Sequence, residues 1–233
     1  VSLVGPNDRS TVITGAGVSV NANQVLENLT FVNDIVTVKA GGVISNCVVR
    51  GGSGSGAHGL ALGIEGGMAV DTTIEEFNGV GVLMLRDSVS TTACPTLVRC
   101  VVRNARREEG DLDESHYAIV SIGQQAKAVL RDCVITNNVN GSMFGGAIGY
   151  VYVTGGGPIP NFKLDYNYDL VLDRCVIADN QGRFGALRLS SSTSPAQDVA
   201  LPHVYATNCL FASNKSINRG SQSANRTFLG RGE

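Results

Sequence analysis

The chain has 233 residues, 43% hydrophobic and 16% charged, with 29 Gly, no Trp and a formal net charge of −2. That length supports one continuous core, while the charge balance argues against a nucleic-acid partner. No apolar run approaches the roughly 18 residues of a membrane span, so none is expected.

Val1–Gly5 reads as a strand and Gly5–Ser10 as a turn. From residue 11 onward one short phrase recurs. Its clear copies centre on Cys47, Cys100, Cys133, Cys175 and Cys209, as in Leu-Arg-Asp-Cys133-Val-Ile-Thr-Asn-Asn and Leu-Asp-Arg-Cys175-Val-Ile-Ala-Asp-Asn. Weaker copies centre on Thr11, Leu29 and Thr72. Two residues after each centre stands an apolar side chain: Ile13, Phe31, Val49, Ile74, Val102, Ile135, Ile177 or Phe211. Alternate residues of a strand share a face, so centre and centre+2 point the same way. Three residues before the centre is usually apolar too, as at Leu26, Ile44, Leu97, Leu130 and Leu172, and the pair between is mostly polar, as at a bend.

A second phrase, small then large apolar, falls between the centres and starts a further strand. It reads Ala61-Leu62, Gly81-Val82, Ala118-Ile119, Ala147-Ile148 and Ala186-Leu187. Short strands at a recurring period, with insertions at corners and no helical pattern, predict a solenoid. The fold class is all-β: a single-stranded right-handed parallel β-helix with long corner-loop insertions. Its expected extent is 1–212, with 213–233 a last partial coil or a tail. A first coil entering directly as a strand leaves unpaired backbone groups. A neighbour is therefore expected over one solenoid end, either more of a longer chain or another subunit.

The insertions follow in order. Gly51–Gly59 is a Gly-rich corner, and Val89–Pro95 is a longer one. Arg106–Ser115 is charged, Gly155–Tyr168 is the longest, and Ser190–Pro202 is rich in Ser. Those at 89–95, 155–168 and 190–202 follow the second strand of their coils, so they should emerge along one edge. Five of the six Cys occupy the ladder. Stacked parallel Cβ atoms lie farther apart than the ~3.8 Å that a disulfide favours, so these five are expected to be buried free thiols. Cys94, off the ladder before Pro95, is the more reactive one.

Few residues look chemical. A polysaccharide lyase needs a Lys or Arg base and a cation near the sugar carboxylate. Lys163, Asp165 and Arg188 are the catalytic candidates, with Arg183 and Asp169 nearby in sequence. Asp111, Asp113 and Glu114 could hold Ca²⁺, without EF-hand spacing; no other cofactor is expected. Aromatics concentrate late in the chain, and Phe162, Tyr166 and Tyr168 lie on the longest insertion, where aromatics often anchor a ligand or partner. With Asp169, Arg183 and Arg188 they form the expected binding surface. The centre+1 column, Val12, Val48, Val101, Val134, Val176 and Leu210, faces outward and offers either plain β-propensity or a lateral contact surface.

Leu-Val-Gly-Pro-Asn-Asp-Arg-Ser-Thr-Val-Ile-Thr-Gly, at the start, resembles the early coils of pectin-lyase-like β-helix proteins. His58-Gly-Leu-Ala-Leu-Gly63 is similar to the His-bearing stretch of polygalacturonase-type glycoside hydrolases. The acids which that chemistry needs are missing, since no Asp or Glu stands between Asp34 and Glu65. Phe144-Gly-Gly-Ala-Ile148 and Phe211-Ala-Ser-Asn214 resemble the paired repeats of polymorphic outer-membrane adhesins. Related copies are Ile135-Thr-Asn-Asn138, Ile177-Ala-Asp-Asn180 and Phe184-Gly-Ala-Leu187. Such repeats also occur in other bacterial surface β-helices, and phage tail spikes share the architecture. The resemblance implies an extracellular, cell-surface or virion scaffold that meets a glycan or a protein surface. The leading expectation is therefore a non-catalytic structural or adhesion module. The alternative is a polysaccharide lyase or glycoside hydrolase.

Overall fold

A computed structural model describes residues 2–15, 17–52, 60–85, 92–107, 118–123, 126–140, 146–150, 169–182, 184–188 and 203–216. They form a right-handed parallel β-helix of four all-parallel sheets. The first sheet stacks Ser2–Val4, Val25–Glu27, Val43–Ser45, Met68–Val70, Thr96–Val98, Ala128–Arg131, Asp169–Asp173 and His203–Thr207. The second stacks Val12–Thr14, Thr30–Val32, Val48–Arg50, Thr73–Glu75, Val101–Arg103, Val134–Thr136, Val176–Ala178 and Leu210–Ala212. The third runs Val18–Val20, Val36–Lys39, Leu60–Glu65, Val80–Leu85, Val120–Ile122, Ile148–Tyr150 and Leu187–Arg188. A short fourth sheet joins Arg106–Arg107, Val139–Asn140, Gln181–Gly182 and Lys215–Ser216.

The register matches the phrase read from the sequence. Ile13, Phe31, Val49, Ile74, Val102, Ile135, Ile177 and Phe211 pair one above the other through all eight coils. Leu26, Ile44, Ala69, Leu97, Leu130 and Leu172 do the same in the first sheet. From Phe31 to Ile177 and from Ile44 to Leu172 the two columns are buried inside the solenoid, together with Cys47, Cys100, Cys133 and Cys175. All six cysteines are free thiols, with Cys94 and Cys209 only partly covered. Parallel stacking gives each inward side chain a like neighbour above and below, so the core is continuous along the axis.

One strand sits a residue away from its expected place. In the third sheet Leu62 pairs with Val82, Val82 with Val120, Val120 with Ile148, and Ile148 with Leu187. Ile119, not Ala118, therefore takes the column of Ala61 and Gly81. The backbone of that coil is recruited at Ile119, whose carbonyl accepts from both Gly81 and Val82 N–H. At Gly81 no Cβ would fit, because the Phe77 ring lies against the backbone there.

The corners have a backbone reason. The residue four after each ladder centre has positive φ in every coil: Gly15, Asn33, Gly51, Glu76, Asn104, Asn137, Asp179 and Ser213. The residue just before the centre does the same at Asn28, Asn46, Asp71, Arg99, Asp132, Arg174 and Asn208. A single left-handed residue turns the chain sharply between strands, and Asn, Asp and Gly tolerate that region best. Arg99, Glu76 and Arg174 do so because stacked neighbours hold them.

Inside the last coils runs an asparagine ladder. Asn138 and Asn180 are buried. Each donates from Nδ2 to a core-strand carbonyl one coil earlier: Asn138 to Val102 O at 3.1 Å, Asn180 to Ile135 O at 2.9 Å, and Asn214 to Ile177 O at 2.7 Å. Asn138 and Asn180 each also donate to the next Asn Oδ1, at 2.9 Å in both steps. The Asn of the repeats thus serves the neighbouring coil as well as its own corner, satisfying buried backbone groups.

Candidate functional site

The expected binding surface is described in part. Phe162, Lys163, Asp165, Tyr166, Tyr168 and Arg183 lie outside the described residues, as do Asp111, Asp113 and Glu114. Asp169 and Arg188 are described, and they stand on different sheets. Asp169 opens a first-sheet strand with its side chain 20% exposed, 3.6 Å from His203 Nδ1 and 3.9 Å from Lys127 Nζ. His203 is its register partner one coil on. Arg188 ends the described part of the third sheet and lays its guanidinium 4.8 Å over the Phe184 ring. Among the described residues, no group of three or more His, Cys, Asp or Glu is gathered as a metal would need.

Asp71, Asp132 and Asp173 are each tied to an arginine on an adjacent coil. Arg99 bonds both oxygens of Asp71 at 2.7 Å, and Arg174 bonds Asp132 at 2.6 and 2.9 Å. Asp173 takes Arg131 and Arg174 at 3.2 and 2.9 Å. These partners sit above one another because Asp71, Arg99, Asp132 and Arg174 share the corner column before the ladder centre. Asn46 continues it, donating to Asn28 Oδ1 at 2.7 Å and accepting from Arg9. The Arg99 and Arg174 hydrogen bonds hold the Asp71 and Asp132 carboxyls below the usual carboxylate range.

Glu75 is the buried member of this set. Its side chain is 5% exposed, between Arg50 and Arg103, which bond its two oxygens at 2.6 and 2.8 Å. Burial pushes its carboxyl up, yet the two arginine hydrogen bonds and charges together leave it lowered. On the second sheet Arg50, Glu75 and Arg103 are register partners, so this clamp follows from stacking alone.

A different surface is open. A furrow of about 280 Å³ crosses three coils, lined by Asn104, Arg106, Asn137, Val139, Asp179 and Gln181. One wall is the left-handed corner Asn104, Asn137 and Asp179. The other wall is the start of the fourth sheet, where Arg106, Val139 and Gln181 pair in register. Between the walls lie the buried Ala105, Asn138 and Asn180. Their N–H groups donate to the next rung of the asparagine ladder: Ala105 to Asn138 Oδ1 at 3.0 Å, Asn138 to Asn180 Oδ1 at 3.3 Å. The furrow floor is therefore braced from inside. The furrow is visible in the phrase as the columns four and six after each centre, but only once the chain is known to bend between them.

Comparison returns no family model, no curated protein and no solved structure similar to this chain. What the molecule does therefore rests on its own surface. The described residues include no helix long and apolar enough to cross a membrane.

Proposed function

We propose that this chain is a non-catalytic β-helix module of a cell-surface or virion protein, akin to the pectin-lyase-like superfamily, which presents its outer surface to a glycan, a receptor or a neighbouring subunit. The observation that carries this reading is the state of three acids among the described residues. Glycoside hydrolysis needs one carboxyl kept protonated as general acid, with a raised pKa, beside a second carboxylate. Asp71, Asp132 and Glu75 are held the other way, ionised and bonded to Arg99, Arg174, Arg50 and Arg103. Their chemistry is cross-bracing between coils.

A subunit or further domain fits the ends of the described solenoid. Leu3 and Phe211 belong to the inward columns, yet they are 50% and 42% exposed, because no described coil stacks beyond them. Burial of such side chains by a neighbour is favourable.

The test is incubation of the purified chain with pectin, alginate and neutral polysaccharides, reading reducing ends and unsaturated sugar. The expected result is no product. Release of either product would overturn the reading in favour of a lyase or hydrolase, and loss of that activity in Arg188→Ala would locate it.

A further inference from the structure

We infer that the furrow of Asn104, Arg106, Asn137, Val139, Asp179 and Gln181 is a binding site for a neutral oligosaccharide running along the solenoid axis. The inference rests on the glycan arm of the reading above and names where and what it binds. Four observations support it. First, the exposed side chains lining the furrow are unengaged: among the described residues, none of Asn104, Arg106, Asn137, Asp179 and Gln181 makes a side-chain hydrogen bond or ion pair, whereas Asp71 and Asp132 at the opposite corner bond arginines. Second, the backbone beneath them is fixed by the buried asparagine ladder. Rigid placement lowers the ordering cost of binding.

Third, the donor and acceptor inventory is matched to hydroxyl groups. A hydroxyl both donates and accepts, and so does each carboxamide of Asn104, Asn137 and Gln181. Arg106 only donates and Asp179 only accepts, and their charges cancel. A polyanion would meet Asp179 and a polycation would meet Arg106, while a neutral polyol satisfies every group. Fourth, Val139 lies between Arg106 and Gln181 in its row, giving an apolar patch for the C–H face of a sugar ring. The rows repeat once per coil, at the ~4.8 Å strand spacing, so an extended polymer can meet an equivalent pair of side chains on each of three coils.

The experiment titrates the whole chain with neutral gluco-, manno- and xylo-oligosaccharides and with oligouronates, by calorimetry and by amide chemical shifts. The variants are Gln181→Ala, Val139→Glu and Asn137→Gly, the last retaining a residue that accepts positive φ. Thr37→Ala on the third sheet is the control. The expected result is a neutral oligosaccharide bound, shifts centred on 104–106, 137–139 and 179–181, and about tenfold weaker binding in Gln181→Ala and Asn137→Gly, as for losing one or two hydrogen bonds. Melting temperature checks that each variant is folded, and Gln181→Ala, at an exposed position, is the one least able to disturb folding. Neutral sugar binding that none of the variants weakens would keep the glycan reading and overturn the furrow. Preference for oligouronates would overturn the ligand class. No binding by any sugar would overturn both the furrow and the glycan arm, leaving the subunit contact.

Discussion

Glu75 shows how stacking changes a side chain's chemistry. An isolated Glu on an outward strand position would be solvated; here it is 5% exposed because arginines on the coils before and after close over it. Its folded pKa is depressed, so the stability it contributes is present above the unfolded value of roughly 4.3 and is lost as pH falls through the folded value. Asp71 and Asp132 act with the same sign. Glu75→Gln should therefore lower the melting temperature at pH 7 and flatten its fall between about pH 5 and 3, as read by thermal scans over that range. An unchanged pH profile would show that the clamp contributes nothing. The thiols follow the same logic of surroundings. Cys133 is pushed up to about 12, first by its hydrogen bond with Cys100 and then by burial; burial also raises Cys47. A thiolate is the reactive form. The same hydrogen bond lowers Cys100, so its protection comes from burial, which it shares with Cys133 and Cys175. Native thiol titration should label the partly covered Cys94 first and leave Cys100, Cys133 and Cys175 unmodified until the chain unfolds.

The strands are two to six residues long, too short to hold alone, and their stability comes from the columns they share. Ile135 and Ile177 are fully buried in one such column. Replacing either by Asp places an unpaired charge in the core, at a cost of several kcal/mol. The expected outcome in circular dichroism melts is unfolding or a large loss of stability, and full retention in both variants would remove this column from the core. The asparagine ladder is the polar counterpart. Asn180→Ala strands the Oδ1-seeking N–H groups of Asn138 and removes donors from Ile135 O and Ala178 O. Each buried group left unsatisfied costs about 1–3 kcal/mol. Denaturant unfolding should show a larger loss for Asn180→Ala than for Asn214→Ala, which lies in the last described coil and bonds toward one side.

Across the solenoid, each coil is stabilised by the two that flank it, so the described coils at the ends have half the support of those in the middle. Their columns are also the exposed ones: Leu3, Val12, Tyr205, Leu210 and Phe211 are all 42% exposed or more. Amide hydrogen exchange should therefore be slowest in the strands from Thr73 to Ile135 and fastest in Ser2–Val4 and His203–Ala212. Exchange uniformly slow to both ends would mean the terminal coils are covered in solution, as a second copy stacked there would cause. Light scattering on the same sample separates a covered end in a monomer from self-association.

The ladder was legible from the amino-acid order because a parallel β-helix repeats one local pattern: an inward side chain every second residue and a polar pair at the bend. Ile13 to Phe211 could be aligned by eye, and the aligned set became the second sheet without a shift. The slip at Ile119 was not legible, since Ala118-Ile119 fits the small-then-large pattern and only the hydrogen bonds to Gly81 and Val82 decide which residue pairs. Nor was the fourth sheet, whose strands have two residues each and carry no period. The candidate site divides in the same way. Nothing in the repeat singles out Asn137, Gln181 or Glu75. Residue type and periodicity establish which way a side chain points within its own coil. Whether its charge meets a partner, and whether two outward rows flank a furrow, depends on what the coil above places beside it, and that is decided only by the stacking.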